Sequence, residues 1–276
     1  MNKAASRFVL PAAVGASLLA AVASAQQPAP HEPEEEYGEW LAAPAELATV
    51  PIDRIPRSLR LNGQAMLLGQ KVFAEHCAGC HGANLKGLPE QHTPDLTDAE
   101  WRFGGDDLPS GGATKYPSDV EWTVRYGVRS GDPYTRGAEV SMLAFDPQYR
   151  TKEDTEDFGG GWFINLEEID DVVEYVLEIS GRPFDKAKAA RGDVLFHDGA
   201  KGNCYDCHGD NGAGIDTFGS TNLTRPDLYL YGADRGSIRE SIIKGRHGTM
   251  PPFGGVLKPE ELKAVSVYVF SRAEQK

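Results

Sequence analysis

The hydrophobic positions of the chain predict helices rather than strands. Two sets of aliphatic residues recur at the spacing of one helix face: Ile169, Val172, Val173 and Val176, and then Leu262, Val265 and Val269. Each set gives an amphipathic helix with one apolar side. No alternation of apolar and polar residues typical of strands stands out. The sequence therefore predicts an all-α protein of a few helices joined by long loops.

The first 25 residues have the pattern of an export signal. Lys3 and Arg7 precede an apolar stretch at 8–25 that ends in Ala23-Ser24-Ala25. A basic start, an apolar centre and a small-x-small exit are typical of secretory signal peptides. The alternative is an uncleaved N-terminal anchor, at the short end of the ~20 residues that span a membrane. We expect residues 1–25 to be a signal peptide and the mature protein to be periplasmic.

The segment that follows, residues 26–60, begins as an acidic and proline-rich stretch. It has no Lys or Arg between Gln26 and Asp53, and it carries a cluster of glutamates at 32–39. Such a composition buries little apolar surface, so we expect an extended tether. The whole chain has 28 Lys and Arg against 41 Asp and Glu, a net charge of -13. This charge argues against nucleic acid as a partner and leaves room for a basic protein.

All four cysteines of the chain lie in two copies of one motif. The copies are Cys77-Ala78-Gly79-Cys80-His81 and Cys204-Tyr205-Asp206-Cys207-His208. Cys-x-x-Cys-His is the attachment site of a c-type haem, in which both thiols bond to the haem and the histidine binds its iron. Zinc, thioredoxin-like and disulfide interpretations do not require a histidine after both pairs. We expect two haem c groups, with Cys77, Cys80, Cys204 and Cys207 as covalent attachment residues and His81 and His208 as axial ligands.

Two methionines are candidates for the remaining axial position. Met142 and Met250 both lie in loop-like sequence, and each is followed three residues later by a phenylalanine. A thioether ligand raises the reduction potential of haem iron. His247 is the best alternative ligand, whereas Met66 lies in a predicted helix and is interpreted as packing. We expect Met142 and Met250 to be axial ligands, but the spacing does not decide which haem each one binds.

The haem motifs belong to a longer internal repeat. The pattern Gly-x-x-x-Phe precedes both motifs, at 69–73 and 192–196. An Asp/Asn-Leu-Thr element follows both, at 95–97 and 222–224. Repeated units of this kind predict two domains in tandem, and Gly181 and Pro183 mark a helix end between them. We expect one domain at residues 61–182 and the other at 183–276.

From Gly69 onward these motifs resemble class I cytochromes c, and more closely the diheme subunit of cbb3-type cytochrome c oxidases, the FixP/CcoP family. The resemblance covers about residues 65–272, and the segment from Ile238 through Met250-Pro251 is especially similar. It implies a subunit that passes electrons from a basic soluble cytochrome c to the oxidase core subunit, with membrane association through that complex. It also implies crossed ligation, in which each domain's methionine binds the iron of the other domain.

Two features differ from the family pattern. Leu143 stands where a proline usually follows the first methionine, and the apolar segment at 8–25 resembles a cleavable signal where the family has a transmembrane helix. One alternative is therefore a soluble periplasmic diheme shuttle for another reductase or dehydrogenase. A second alternative is a diheme enzyme with one open haem site. We expect an electron-transfer protein with no catalytic residues of its own.

Overall fold

The computed structural model describes residues 45–98, 100–103, 116–137, 141–150, 162–215 and 219–273. Its α-helices are α1 (Ala45–Thr49), α2 (Leu59–His76), α3 (Ala78–His81), α4 (Pro117–Tyr126), α5 (Leu166–Ile179), α6 (Lys186–Phe196), α7 (Tyr205–His208), α8 (Arg235–Lys244) and α9 (Pro259–Ala273). Short 3-10 turns lie at Ile52–Arg57, Pro89–Gln91, Pro147–Tyr149 and Pro226–Leu228. Only isolated β-bridges occur in these ranges, so the all-α prediction is confirmed.

The expected signal peptide and the glutamate cluster at 32–39 lie outside the described residues. Across the ranges that are described, every helix is too short or too polar to cross a membrane.

Side-chain caps explain where three of the helices begin. Asn165 accepts hydrogen bonds from the first turn of α5, and the Glu168 side chain accepts one in return from the Asn165 backbone N–H. The side chains of Asp185 and Asp234 each accept two backbone hydrogen bonds from the first turn of α6 and α8, respectively. Each cap satisfies backbone N–H groups that have no partner within the helix, which fixes the helix start.

The longer helices pair through glycines at their crossing points. A Cβ atom added to Gly69 of α2 would lie 2.3 Å from the Ala264 carbonyl oxygen of α9. One added to Gly192 of α6 would lie 2.0 Å from the Asp171 carbonyl oxygen of α5. Only glycine permits so close an approach of two backbones. The Gly-x-x-x-Phe repeat is therefore the contact surface between two helices.

An aromatic pair sits beside each of these crossings. The rings of Phe73 and Tyr268 lie 5.8 Å apart, and those of Phe196 and Tyr175 lie 5.1 Å apart. Both tyrosines are buried, which agrees with a packing role. The two helix pairs therefore have the same construction, α2 with α9 and α6 with α5.

These pairings interleave the two halves of the sequence. Helices α2, α3 and α4 pack with α9, and we call this group the first unit. Helices α5, α6, α7 and α8 form the second unit. The division expected at residues 180–183 follows the sequence repeat, whereas packing exchanges the closing helices α5 and α9 between the halves. The exchanged pairing is held by the close backbone contacts of Gly69 with α9 and of Gly192 with α5.

The described part of the expected tether is folded. Leu47, Ile52 and Ile55 are buried in a cluster with Ala264 and Val267 of α9. The ammonium group of Lys263 also donates hydrogen bonds to the carbonyls of Ala48 and Val50, at 2.8 and 2.7 Å. The expectation of an extended chain is therefore wrong for residues 45–57. Their few apolar side chains are buried because α9 offers them a second apolar face.

Candidate haem-binding sites

Each Cys-x-x-Cys-His motif forms one helical turn. His81 and His208 each donate a backbone hydrogen bond of 2.9 Å to the carbonyl of the first cysteine of their motif. The turn brings both thiols and the imidazole of a motif together. Gly82 and Gly209 follow with φ angles of 71° and 75°, a conformation that glycine adopts without strain and that turns the chain away from the motif.

A hydroxyl group ties the second cysteine of each motif to the loop that follows. Thr93 Oγ1 donates to the Cys80 carbonyl at 2.5 Å and accepts from the Leu88 N–H at 2.8 Å. Ser220 Oγ donates to the Cys207 carbonyl at 2.6 Å and accepts from the Ile215 N–H at 2.8 Å. Thr93 and Ser220 were not singled out from the sequence, although each lies 13 residues after its cysteine.

The Asp/Asn-Leu-Thr elements close the same loops. Asp95 Oδ1 accepts from the backbone N–H and the hydroxyl of Thr97, and Asn222 Oδ1 accepts the same two bonds from Thr224. Leu96, which lies between Asp95 and Thr97, connects this element to the start of the loop, because its N–H donates to the Leu85 carbonyl at 2.7 Å. The repeat seen in the sequence is therefore a repeated hydrogen-bonded frame around each haem motif.

The His208 ring is oriented as an iron ligand must be. Its Nδ1 lies 3.1 Å from the Thr221 carbonyl oxygen, 13 residues away. A carbonyl only accepts, so the ring proton is on Nδ1 and Nε2 keeps a free lone pair for iron. Burial lowers the pKa of the His208 imidazole. The hydrogen bond to the Thr221 carbonyl raises this pKa, whereas the positive charge of Arg102 lowers it. The imidazole is therefore held neutral.

The His81 ring has the equivalent position in the first motif. Burial lowers its pKa, and the Pro94 carbonyl, again 13 residues further on in the chain, opposes that effect. Its Nδ1 is buried and has no hydrogen bond of normal length. Both histidines are thus neutral, partly enclosed imidazoles, which is the form that binds iron.

The four cysteine thiols form no disulfide. Burial raises the pKa of Cys77 to about 11, with a smaller contribution from Cys80. Burial likewise raises the pKa of Cys204 to about 12, with a contribution from Cys207. At these pKa values the Cys77 and Cys204 thiols are protonated at neutral pH, and each motif places two cysteines beside a histidine, as covalent attachment of one haem per motif requires.

Met250 belongs to the first unit. It exchanges backbone hydrogen bonds with Val128, just after α4: Val128 N–H to the Met250 carbonyl at 3.0 Å, and Met250 N–H to the Val128 carbonyl at 2.9 Å. Its side chain packs on the apolar cluster that also contacts Cys77 and Phe253. Met66 of α2 packs on the same cluster, which agrees with the packing role expected for it.

Met142 belongs to the second unit and has the same kind of attachment. It exchanges backbone hydrogen bonds of 3.2 and 2.9 Å with Arg246, just after α8. Its side chain packs on the apolar cluster that also contacts Cys204. Each methionine therefore lies in the unit of the haem motif from the other half of the sequence. His247, the alternative ligand, is exposed.

The donor set of each unit fits a c-type haem. Each unit holds two free thiols, one neutral and enclosed imidazole, and a methionine loop whose thioether, that of Met250 or Met142, packs on the apolar cluster of the unit. The fold and these sites define a protein of two cytochrome c domains.

Family models match both halves of the chain. Residues 66–180 match the model for cytochrome c, and residues 187–269 match the model for "Cytochrome C oxidase, cbb3-type, subunit III". Cytochrome c domains carry covalently bound haem, so the c-type haem assignment is confirmed.

Named relatives extend this match over most of the chain. The chain is 35% identical over 229 residues to the cbb3-type cytochrome c oxidase subunit FixP of Azorhizobium caulinodans, covering 83% of this chain and 67% of that protein. It is 36% identical to FixP of a Bradyrhizobium species, covering 86% and 70%, and 32% identical to CcoP of an Azospirillum species, covering 81% and 67%. The chain belongs to the FixP/CcoP family of cbb3-type oxidase subunits.

A solved structure from Kuenenia stuttgartiensis, a reducing HAO-like protein complex, has 16% identity to the chain. The match covers 74% of this chain and 95% of that one, with a TM-score of 0.21. A likeness at this level supports no inference about the fold.

Proposed function

We propose that this protein transfers electrons through two covalently bound haems as the diheme subunit of a cbb3-type oxidase. The observation that carries the proposal is the family match, which spans both haem motifs and both methionine loops. Electrons would enter from a basic soluble cytochrome c and leave to the oxidase core subunit. The bound haems supply the redox chemistry, and the chain supplies ligands, burial and spacing.

The residues have separate roles in this proposal. Cys77 and Cys80 hold one haem, and Cys204 and Cys207 hold the other. His81 and His208 are the proximal axial ligands. The packing of Met250 with Cys77, and of Met142 with Cys204, supports crossed ligation, in which Met250 serves the first motif and Met142 the second. With both axial positions taken, neither iron would have a site for substrate, so we assign no catalytic residue.

The charge of the chain supports the proposed donor. A net charge of -13 attracts a basic protein at a distance and speeds its encounter at low salt. We further propose a periplasmic location, with residues 1–25 as the export signal and the oxidase complex as the link to the membrane. This location rests on the sequence pattern of residues 1–25.

The test is a haem-stained denaturing gel of periplasmic and membrane fractions from cells that make the full chain and the oxidase. Covalent haem survives denaturation, so we expect a stained band in the membrane fraction that remains after a high-salt wash. We also expect this band to purify together with the oxidase core. A stained band found only in the periplasm would contradict the oxidase role, and an unstained band would contradict the haem assignment.

A further inference from the structure

One short segment, residues 246–250, connects the two methionine loops. Arg246 exchanges backbone hydrogen bonds of 3.2 and 2.9 Å with Met142. Met250, four residues later, exchanges bonds of 3.0 and 2.9 Å with Val128. Four residues of chain span at most about 14 Å even when fully extended. A shift of this segment therefore moves both the backbone partner of Met142 and Met250 itself. We call residues 246–250 the strap.

Tyr231 packs beside the strap. The middle of the strap, residues 247–249, is exposed, so its position depends on the contacts at its inner side. Arg129 Nε donates to the Gly248 carbonyl at 2.9 Å. The Arg246 guanidinium lies over the Tyr231 ring, 4.1 Å from its centre, a distance at which the cation is attracted to the ring face. A Cβ atom added to Gly248 would lie 3.2 Å from the Tyr231 hydroxyl oxygen. The Tyr231 side chain thus meets the strap at its start and at its middle.

The Tyr231 ring is in turn held by the loop of the first haem motif. The rings of His92 and Tyr231 lie 4.3 Å apart, with 33° between their planes. His92 Nδ1 also lies 3.1 Å from the Leu230 carbonyl oxygen. The φ angle of His92 is 55°, in the left-handed region that few residues other than glycine adopt. The next residue, Thr93, donates to the Cys80 carbonyl. Tyr231 therefore connects the strap with the frame of the first haem motif.

We propose that Tyr231 is a positioning residue for both axial methionines, and that it acts by holding the strap in place. This inference rests on the proposed function, because it takes Met142 and Met250 as iron ligands. Without the Tyr231 ring, the strap loses the surface on which Arg246 packs, and the backbone at both methionines shifts together. Both thioethers then bind less firmly. Loss of a thioether lowers the reduction potential of the haem and opens its axial position.

The experiment is a redox titration, with a measurement of carbon monoxide binding, on the full chain with both haems attached. We expect Tyr231→Leu to lower both midpoint potentials and to speed carbon monoxide binding at both irons. Tyr231→Phe keeps the ring and should retain both properties of the unsubstituted protein. The matched control is Tyr149→Leu, because Tyr149 is an exposed tyrosine that also lies near a cation, with the Lys244 ammonium 5.7 Å from its ring centre. The control should change neither property.

A smaller substitution covers the case in which Tyr231→Leu does not fold. Arg246→Gln leaves the Tyr231 ring and removes the cation that packs on it. It should lower both potentials, by less than Tyr231→Leu does. If Tyr231→Leu yields no folded chain, the shift of both potentials in Arg246→Gln decides the question.

Four outcomes would overturn the inference and leave the proposed function standing. They are unchanged potentials in Tyr231→Leu, an effect at one haem alone, an effect of Tyr231→Phe as large as that of Tyr231→Leu, and an equal effect of Tyr149→Leu. Failure of the proposed function is seen separately. A chain without covalent haem, or unchanged potentials in both Met142→Ala and Met250→Ala, would contradict it.

Discussion

Met250 and Val128 exchange two backbone hydrogen bonds across the two halves of the sequence. Met142 and Arg246 make the reciprocal pair. A glycine precedes each partner: Gly127, with φ of 74°, and Gly245, with φ of 68°. A Cβ atom on Gly127 would lie 2.3 Å from the Met250 carbonyl oxygen, and one on Gly245 would lie 2.4 Å from that of Met142. The position of each methionine therefore depends on a glycine from the opposite half.

Substitution of these glycines should disturb one haem at a time. We expect Gly127→Ala to displace the Met250 loop, which lowers the potential of the first haem and opens its iron to carbon monoxide. Gly245→Ala should do the same to the second haem through Met142. The control is Gly131→Ala: Gly131 also has a positive φ, of 82°, but a Cβ there meets nothing within 4 Å. Carbon monoxide binding as strong in Gly131→Ala as in Gly127→Ala would contradict the argument.

The crossed pairing has a direct test in a chain with one haem. In the variant Cys77→Ala, Cys80→Ala only the second haem remains. Adding Met142→Ala should lower its midpoint potential and allow rapid carbon monoxide binding, because the thioether is lost. Adding Met250→Ala to the same variant should change neither property. The pairing is wrong if the two methionine substitutions exchange these effects.

The sequence predicted the parts of this protein that are local. The haem motifs, the Asp/Asn-Leu-Thr elements and the helix set around Ile169 all depend on residues within a few turns of one another, and their patterns are visible in the chain. The partner of Met142 is not visible in this way. It depends on which closing helix packs on which glycine, and Gly69 and Gly192 have the same pattern in sequence.

The burial of side chains in residues 45–57 is a second property that the sequence did not predict. Residues 45–57 look like the end of an acidic tether because Leu47, Ile52 and Ile55 are few among polar neighbours. They are buried because α9 is apolar on two sides, with Ala264 and Val267 facing them. Thr93 and Ser220 were missed for another reason: the two residues differ in type, so the shared position 13 residues after the second cysteine of each motif does not stand out in the sequence.

The helix crossings predict a loss of stability on adding one methyl group. Gly69→Ala brings a Cβ to 2.3 Å from the Ala264 carbonyl and 2.6 Å from Tyr268 Cβ, so α2 and α9 must separate. We expect a loss of about 1–3 kcal/mol in the free energy of unfolding, despite the better helix propensity of alanine. Gly192→Ala should cost a similar amount at the crossing of α6 with α5.

Urea unfolding of the haem-loaded protein measures both losses. The control is Gly255→Ala, at an exposed position where a Cβ meets nothing within 4 Å and φ is not positive. It should leave the unfolding midpoint unchanged. Equal stability of Gly69→Ala and the unsubstituted protein would show that the helices cross less closely than described.

The second unit should lose stability in acid through one buried carboxylate. Glu174 of α5 accepts hydrogen bonds from Arg235 at 2.6 and 3.0 Å and from the Asp185 N–H at 2.7 Å, which together hold α5, α6 and α8. The bonds from Arg235 are the main cause of its lowered pKa. Because the folded pKa lies below the unfolded value of 4.5, this stabilisation is fully present above pH 4.5. It is lost as the pH falls through the lowered folded value.

Glu174→Gln tests this dependence. At neutral pH we expect it to lower the free energy of unfolding by about 1.5–3 kcal/mol, the usual contribution of a hydrogen bond to a charged group. Below pH 4.5 the two proteins should differ less in the free energy of unfolding, because Glu174 becomes protonated and is then uncharged, like the glutamine. Glu75→Gln, which removes an exposed carboxylate 3.9 Å from Lys71, is the control and should be neutral. The measurement is the unfolding midpoint of both proteins from pH 3 to 7. If Glu174→Gln is less stable by the same amount over this whole range, Glu174 is not the titrating group.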